Sequence, residues 1–575
     1  MPRESQANLL KNYRQKLSYS KRWREEEGYD DLWKRLVDLY RCKQFKVESD
    51  EDQILVNMAF ATINVMGPAV SINHPKISVN ARNPEDGDNA VVTESIVNYW
   101  WRKYGCQEEV RRAVKDFLIV GFGFVKTGYR FIEEAALDAP MPEFDSMDEL
   151  VTPDETGEGD VETDLIIKED RPFAERISPH DIYVDPDGKT MNDITWIAQC
   201  IKRKLADVKK DKRFNATARR DIAGSYASRY ASQDTVRKGE DPEDTYVEIW
   251  EYYDIERNTI SVFTDGGDKF LVAPTKMPFS FGQPFIMLRN YDVPEHFYPM
   301  GELEAIEPLQ HELNGTRTQM MNHRKRYARK YLYDASMFDK DGIAALGSGE
   351  DNVMVPVAQG GNLQNAVVPM PALINPPEFY NQSELISGDI DRVSGVSEYA
   401  RGGIPEGRRT ATEAGIIQDN ANARSAEKLS IIEKSIAEIA RHIIMLAQQY
   451  LDGEHAIPIL GAGQEKLWLK FERNYILGEF DFEVEAGSTA PVNESFKRQM
   501  AMQVVNAMAP FAQSGIIDMA KLAKYVLEEG FGIRGAESFI VQQAVGPDGQ
   551  PMPPGPGGGP PAQGGPQGVG NIPIA

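Results

Sequence analysis

Between Gly415 and Gly453 the chain carries neither proline nor glycine. Few folds can absorb such a stretch. Apolar residues fall at Leu429, Ile432, Ile436, Ile439, Ile443, Leu446 and Tyr450, in steps of three and four, which is the period of a helix and not of a strand. Thr410 and Glu413 are spaced as a capping box, and Gly453 stands where a C′ glycine ends a helix. The spacing predicts one helix over 410–453, roughly 60 Å long at about 1.5 Å per residue. Ala437, Ala440, Ile444 and Ala447 widen the stripe, so more than one element should pack on it. A core helix of an ordinary large domain has the same pattern; the flanking segments argue against it.

The chain has 575 residues, too many for one hydrophobic core, so about two to four structural units are expected. Its formal charge of -24 argues against a basic face that coats nucleic acid, but does not exclude a protein that lets DNA pass without holding it. Cys42, Cys106 and Cys200 lie too far apart for a disulfide framework or a zinc pattern, and a reducing compartment is expected. The polar start lacks the apolar core of a signal peptide. No stretch reaches the roughly 18 apolar residues of a membrane span. A soluble protein with no membrane partner is expected.

Read in order, the first half predicts an α+β domain. Ser5 to Tyr40 reads as helix, with Trp23, Leu32, Trp33, Leu36, Val37 and Tyr40 as buried candidates. Asp52 to Pro68 reads as a second helix, stopped by Gly67-Pro68. A short strand at Lys76 to Val79, a turn at Asn83 to Gly87 and helices at Asn89 to Gly105 and Gln107 to Val120 follow. Gly121 to Tyr129 runs into a strand, and 135–164 is an acidic, proline-punctuated exposed insert. Ile177 to Asp187, Thr195 to Cys200, Tyr246 to Tyr253 and Thr259 to Val272 read as strands, with a basic helix from Leu205 and a hairpin turn at Asp265-Gly266-Gly267.

A second regime opens at Glu302. Residues 302–333 are mostly helical, with Leu303, Ile306, Leu309 and Leu313 on one face; Pro308 either kinks this helix or marks its first turn. Residues 334–374 suit a few short strands, Asn375-Pro376-Pro377 opens another helix, and Gly395 to Arg409 is a loop before the long helix. Strands are predicted at Leu467 to Phe471 and Phe480 to Val484, helices across 493–545, and a disordered Pro/Gly tail over 546–575.

No motif for catalysis stands out. Gly121-Phe122-Gly123-Phe124-Val125-Lys126-Thr127 lacks the register of a nucleotide loop, and a strand follows where a helix is needed. The seven histidines show no ligand spacing, and Asp185-Pro186-Asp187-Gly188 is a turn without the distal glutamate of a calcium loop. No catalytic residue, metal or cofactor is predicted.

This order of elements resembles the portal protein of tailed bacteriophages, in the subgroup typified by short-tailed phages. The residues that carry the resemblance are Ile54 to Asn57 on an early helix, Val120 to Tyr129 entering a strand, and Ile177 to Pro186 preceding Trp196. Arg409-Thr410-Ala411-Thr412-Glu413 at the start of the long helix and Ala486 to Pro491 complete the set. The resemblance covers most of 1–530. It implies an α+β portal-type fold: an α/β wing over 1–301, stem helices over 302–333 and 375–396, and a small β-containing clip over 334–374. It implies further a channel loop over 397–409, the long helix over 410–453, wing strands over 454–492 and a helical crown over 493–545. It implies a homo-oligomeric ring, usually a dodecamer, at one vertex of the capsid in the virion, made in the host cytoplasm. Double-stranded DNA would pass without sequence specificity during packaging and ejection. Terminase large subunit, a head-to-tail adaptor, and major capsid and scaffolding proteins would be its partners. Another oligomeric scaffold or adaptor, or a metal-dependent DNA-processing enzyme, are the alternatives.

A conduit must not bind what it passes, and a uniformly basic bore would release counterions and stall the duplex. Acidic walls with a few cationic rings repel phosphate and still centre it. Glu384, Asp389, Asp391 and Glu398 on and after the second stem helix, with Arg401, Arg408 and Arg409 in the loop, are the channel candidates. Each loop arginine could equally be solvated or bridge a subunit seam. Arg324, Lys325, Arg326, Arg329 and Lys330 form the densest basic run on a helix. They could meet DNA, terminase or the adaptor, or form an exterior face that pairs with a neighbouring acidic subunit. The run Lys202 to Arg213 reads as a solvated wing surface.

Overall fold

The computed structural model describes residues 5–43, 53–70, 75–135, 165–227, 245–265, 267–327, 331–333, 336–348, 354–356, 367–369, 378–396, 411–451, 455–460 and 466–485, with short helical pieces within 501–527. The chain divides into two compact units, Met1–Ile457 with Leu469–Pro491 and Pro458–Trp468 with Val492–Ala575. Nearly all described elements belong to the first. The acidic insert over 135–164, save Ala135 at the end of a strand, the loop over 397–409 and the tail over 546–575 lie outside the described residues.

The first unit opens with α1 (Gln6–Glu26) and α2 (Tyr29–Tyr40). They are separated at Gly28, whose φ of 71° an L side chain rarely adopts. Trp33 and Leu36 are buried as predicted, but Trp23, Leu32, Val37 and Tyr40 are only partly so, and the fully buried residue of α1's last turn is Arg24. Its guanidinium lies between the Trp33 and Tyr183 rings, 4.7 and 4.2 Å from their centroids, and donates to the Ile182 carbonyl at 2.9 Å.

Helix α3 (Met58–Val70) starts later than the sequence suggests and continues through Pro68. Proline two residues before the end removes one late hydrogen bond without breaking the helix. Strand β1 (Ile77–Ala81) is followed by α4 (Gly87–Lys103) and α5 (Cys106–Ile119), and the predicted turn at Asn83 to Gly87 is a short 3-10 helix leading straight into α4.

Strands β2 (Phe122–Ala135) and β3 (Leu165–Ile177) form a long antiparallel ribbon. The predicted strand over Ile177 to Asp187 is divided: Ile177 ends β3, Pro179 to Asp181 form a 3-10 turn, and only β4 (Ile182–Val184) is extended. Strand β5 (Trp196–Lys204) leads into α6 (Leu205–Lys210), and α7 (Ala216–Arg220) and β6 (Tyr226–Ala227) precede β7 (Thr245–Asp254). The run Thr259 to Val272 makes two strands, β8 (Thr259–Thr264) and β9 (Val272–Lys276), before β10 (Phe285–Arg289).

These strands build two antiparallel sheets, β10-β2-β3 and β4-β5-β7-β8-β9 with β6 on β7. Strand β7 shows why the second sheet is covered on both faces. Trp250 and Tyr252 point to one side and join Leu10, Tyr13 and Leu17 of α1; Val247 and Ile249 point to the other and join Leu205 and Val208 of α6.

Helix α8 (Glu302–Tyr327) begins six residues before Pro308, so the proline does not mark its first turn. Strand β11 (Tyr331–Tyr333), α9 (Lys340–Gly347) and β12 (Val367–Pro369) follow, and β11 and β12 pair antiparallel as a small ribbon. Helix α10 (Glu378–Ser394) packs on α8. Helix α11 (Ala411–Tyr450) is the predicted long rod, 40 residues without a break; the cap residues Thr410 and Gly453 lie outside the described residues. Ile432, Ile436, Ile439, Ile443 and Leu446 are all buried, each contributing roughly 1.5–3 kcal/mol relative to exposure. The widened stripe meets α3, α4, β2, β3, β10 and β15 (Phe480–Val484), so several partners share one helix. β15 pairs with β1, Ile77 opposite Val484, which closes the unit. Strands β13 (His455–Leu460) and β14 (Lys466–Phe471) follow α11 in sequence, and β13 falls in the strand region expected over 454–492 although no individual strand was predicted there.

Candidate functional site

The two rods α8 and α10 carry most of the described candidate residues, and a buried junction ties α8 to α11. The junction is built on close backbone approach. Gly121 has a φ of 105°, and a Cβ there would sit 2.3 Å from the Pro299 carbonyl oxygen. A Cβ at Gly123 would sit 2.2 Å from the Ala113 carbonyl oxygen. Lys126 donates to Gln199 Oε1 at 2.8 Å and pairs with Glu251 at 2.5 Å, tying one sheet to the other. Thr127 Oγ1 donates to the Pro284 carbonyl at 3.3 Å and lies 3.0 Å from His442 Nδ1. The glycine-rich stretch that superficially suggested a phosphate loop is therefore a packing device.

At the same junction Glu302, the first residue of α8, forms an ion pair with Lys428 of α11; the two side chains are 3% and 5% exposed. Lys428 Nζ also donates to Tyr291 Oη at 2.9 Å, and Asn290 Nδ2 donates to Glu302 Oε1 at 3.2 Å. Burial pushes the Lys428 ammonium down to about 8. Neither residue was singled out from the sequence. A signal was present: Lys428 occupies the position four before Ile432, on the apolar stripe itself, where a charge needs a buried partner.

A polar ladder runs along α8. Gln310, Asn314 and Thr318 recur every four residues, so they share one face. Asn314 Oδ1 accepts from the Val56 amide at 3.0 Å, Thr318 Oγ1 from the Ile54 amide at 3.1 Å, and Gln310 Oε1 from the Ala59 amide at 3.0 Å. Gln310 Nε2 donates to the Val56 carbonyl at 2.6 Å. Ile54 to Asn57, read from the sequence as part of a helix, therefore lies outside it, and α3 begins only at Met58. The predicted apolar face of α8 is correspondingly mixed: Leu303, Ile306 and Leu313 are buried, Leu309 only partly, and Gln310 and Asn314 are fully so.

Among the predicted site residues, Glu384 on α10 is exposed, and Asp389 and Asp391 are half-buried. Asp389 is paired with Arg392 at 2.8 Å. With about 3.6 residues per turn, Glu384 and Asp391 share one flank of α10, while Asp389 lies on the other, beyond the exposed Leu385. The three acids do not form one face. Arg324 and Lys325 are exposed near the C-terminal end of α8, and Arg326 belongs to the same helix. Arg329, Lys330, Glu398, Arg401, Arg408 and Arg409 lie outside the described residues. In the run Lys202 to Arg213, Arg203 and Arg213 both pair with Asp211, whose carboxyl their hydrogen bonds hold well below the usual range.

Among the described residues no group of three histidine, cysteine, aspartate or glutamate side chains is placed to hold a metal. No helix among them is long and apolar enough to cross a membrane.

No curated protein matches the chain. Among solved structures it is similar to one described as "Virion of native gene transfer agent (GTA) particle", at 11% identity and a TM-score of 0.35, covering 82% of this chain and 88% of that one; a likeness at this score carries no argument. The family described as "Phage SU10 portal protein" matches residues 9–557, from the second turn of α1 into the Pro/Gly-rich tail. With nearly its whole length matched, the chain belongs to the phage SU10 portal protein family.

Proposed function

We propose that copies of this chain form a ring at one capsid vertex and serve as the conduit for double-stranded DNA in packaging and ejection. The observation that carries the proposal is the family match over 9–557. The α+β architecture, with paired rods α8 and α10 and the long α11 anchored in the sheets, is compatible with it. In this reading 1–301 with 454–492 is the wing, and α8 and α10 are the stem. Residues 334–374 are the clip, 397–409 the channel loop, α11 the rod from wing to crown, and 493–545 the crown.

The chain itself needs no catalytic group, since a separate ATP-driven terminase supplies the work. Its own residues exclude and centre the duplex. The acids of α10 and Glu398 repel phosphate; Arg401, Arg408 and Arg409 meet it in a narrow collar, where few contacts limit counterion release and binding stays weak. Arg324, Lys325, Arg326, Arg329 and Lys330, the basic run that opens in the last turns of α8, offer cationic docking to terminase and then to the tail adaptor. Capsid and scaffolding proteins would meet the wing.

Packaging with an Arg408→Ala, Arg409→Ala double variant tests the collar. Less nuclease-protected DNA, or DNA lost after filling, is expected; unchanged packaging and retention would remove that role.

A further inference from the structure

The two stem rods carry opposite charges at matching intervals. On α8, Arg317 and Arg324 are exposed and seven residues apart, so they lie on one line roughly 10 Å apart. On α10, Glu384 and Asp391 are also seven apart and share one flank at the same interval of roughly 10 Å. Arg317, Arg324 and Glu384 have no ion-pair partner among the described residues, although α8 and α10 of one chain pack against each other. Neither arginine of the α8 line is therefore paired with the acidic flank of α10 in its own protomer.

The geometry points to a seam between copies in which the arginine line of one α8 meets the acidic flank of the next copy's α10. With the two helices antiparallel, equal spacing lets Arg324 face Glu384 while Arg317 faces Asp391. Such a contact is heterologous: one surface meets a different surface of the neighbour, which is the arrangement that closes into a ring when the rotation allows it. A chain of net charge -24 repels its copies, so opposed charges at the seam also set which faces approach.

The seam refines the channel. It turns Glu384 and Asp391 toward a neighbour and leaves the line of Leu385, Asp389 and Arg392 for the bore. Leu385 is 65% exposed in the protomer, an apolar contact that slides past a duplex without releasing counterions. Arg324 leaves the docking set, and Lys325, next on the helix, remains in it.

This inference rests on the ring reading, and a charge swap separates the two. Full-length Arg317→Glu, Arg324→Glu and full-length Glu384→Arg, Asp391→Arg are each expected to lose ring by roughly tenfold in native mass spectrometry, because like charges then oppose at every seam. The fourfold variant is expected to recover it. Rings that form as well as wild type in both double variants would overturn the seam, as would a fourfold variant that folds, judged by its circular dichroism and melting, but stays monomeric. If a swap variant fails to fold, Arg324→Cys with Glu384→Cys decides. Oxidation should give a ladder of covalent oligomers, and its absence in assembled protein overturns the pairing. Wild-type protein that forms no ring at all would instead refute the ring reading.

Discussion

Glu302 and Lys428 meet as an ion pair with almost no solvent, joining the first residue of α8 to the buried stripe of α11. Removing one partner leaves the other charged and buried without a counter-ion. Glu302→Gln is therefore expected to cost about 3–5 kcal/mol in denaturant unfolding, whereas Glu302→Leu with Lys428→Met should recover most of that loss. A single variant as stable as wild type would mean that water reaches the pair.

The ladder on α8 makes a local prediction. Asn314→Ala leaves the Val56 amide without its acceptor and removes one partner of Gln310. The expected loss is about 1–3 kcal/mol, with hydrogen exchange accelerating at Val56 and Ile54 first. Exchange unchanged at those amides would contradict the ladder.

His442 predicts a pH dependence. It is buried, stacked on Phe281 at 3.8 Å between centroids, and burial with Arg441 beside it pushes the imidazole down from 6.5 to about 4. The unfolded chain therefore takes up the proton first. The stabilisation is complete above about pH 6.5 and is lost as pH falls toward 4, up to roughly 3 kcal/mol over the window. Denaturant midpoints at pH 7 and pH 5 should converge for His442→Phe relative to wild type; an unchanged gap would refute the assignment.

Gly121→Ala combines a left-handed φ with a collision against the Pro299 carbonyl. We expect a loss of at least about 2–3 kcal/mol or failure to fold, while Gly315→Ala, where a Cβ meets nothing within 4 Å inside a helix, should be neutral or stabilising.

These elements also show what the sequence could reveal. The long helix was legible because nothing in 416–452 breaks it and its apolar steps keep one period; its observed span is Ala411–Tyr450. Strand β5 and helix α6 were legible for the same local reasons. Ile54 to Asn57 was misread because its backbone partners are side chains of Gln310, Asn314 and Thr318, far along the chain, which no local pattern reports. Pro68 was overweighted, since a proline close to a helix end removes little. The acidic candidates on α10 were recognisable as charges, but their division between two flanks emerges only once the helix register is fixed. The buried pair Glu302–Lys428 was written in the stripe as one charged position, and its partner lay in another regime of the chain.

The central claim is that α8, α10 and α11 of many copies surround an open passage. Negative-stain imaging of the purified full-length protein, with its mass measured in the same preparation, tests it most directly. The account predicts a closed ring of about twelve copies with a central hole wide enough for a duplex. A compact monomer, or an oligomer with its rods packed into a solid centre, would contradict it.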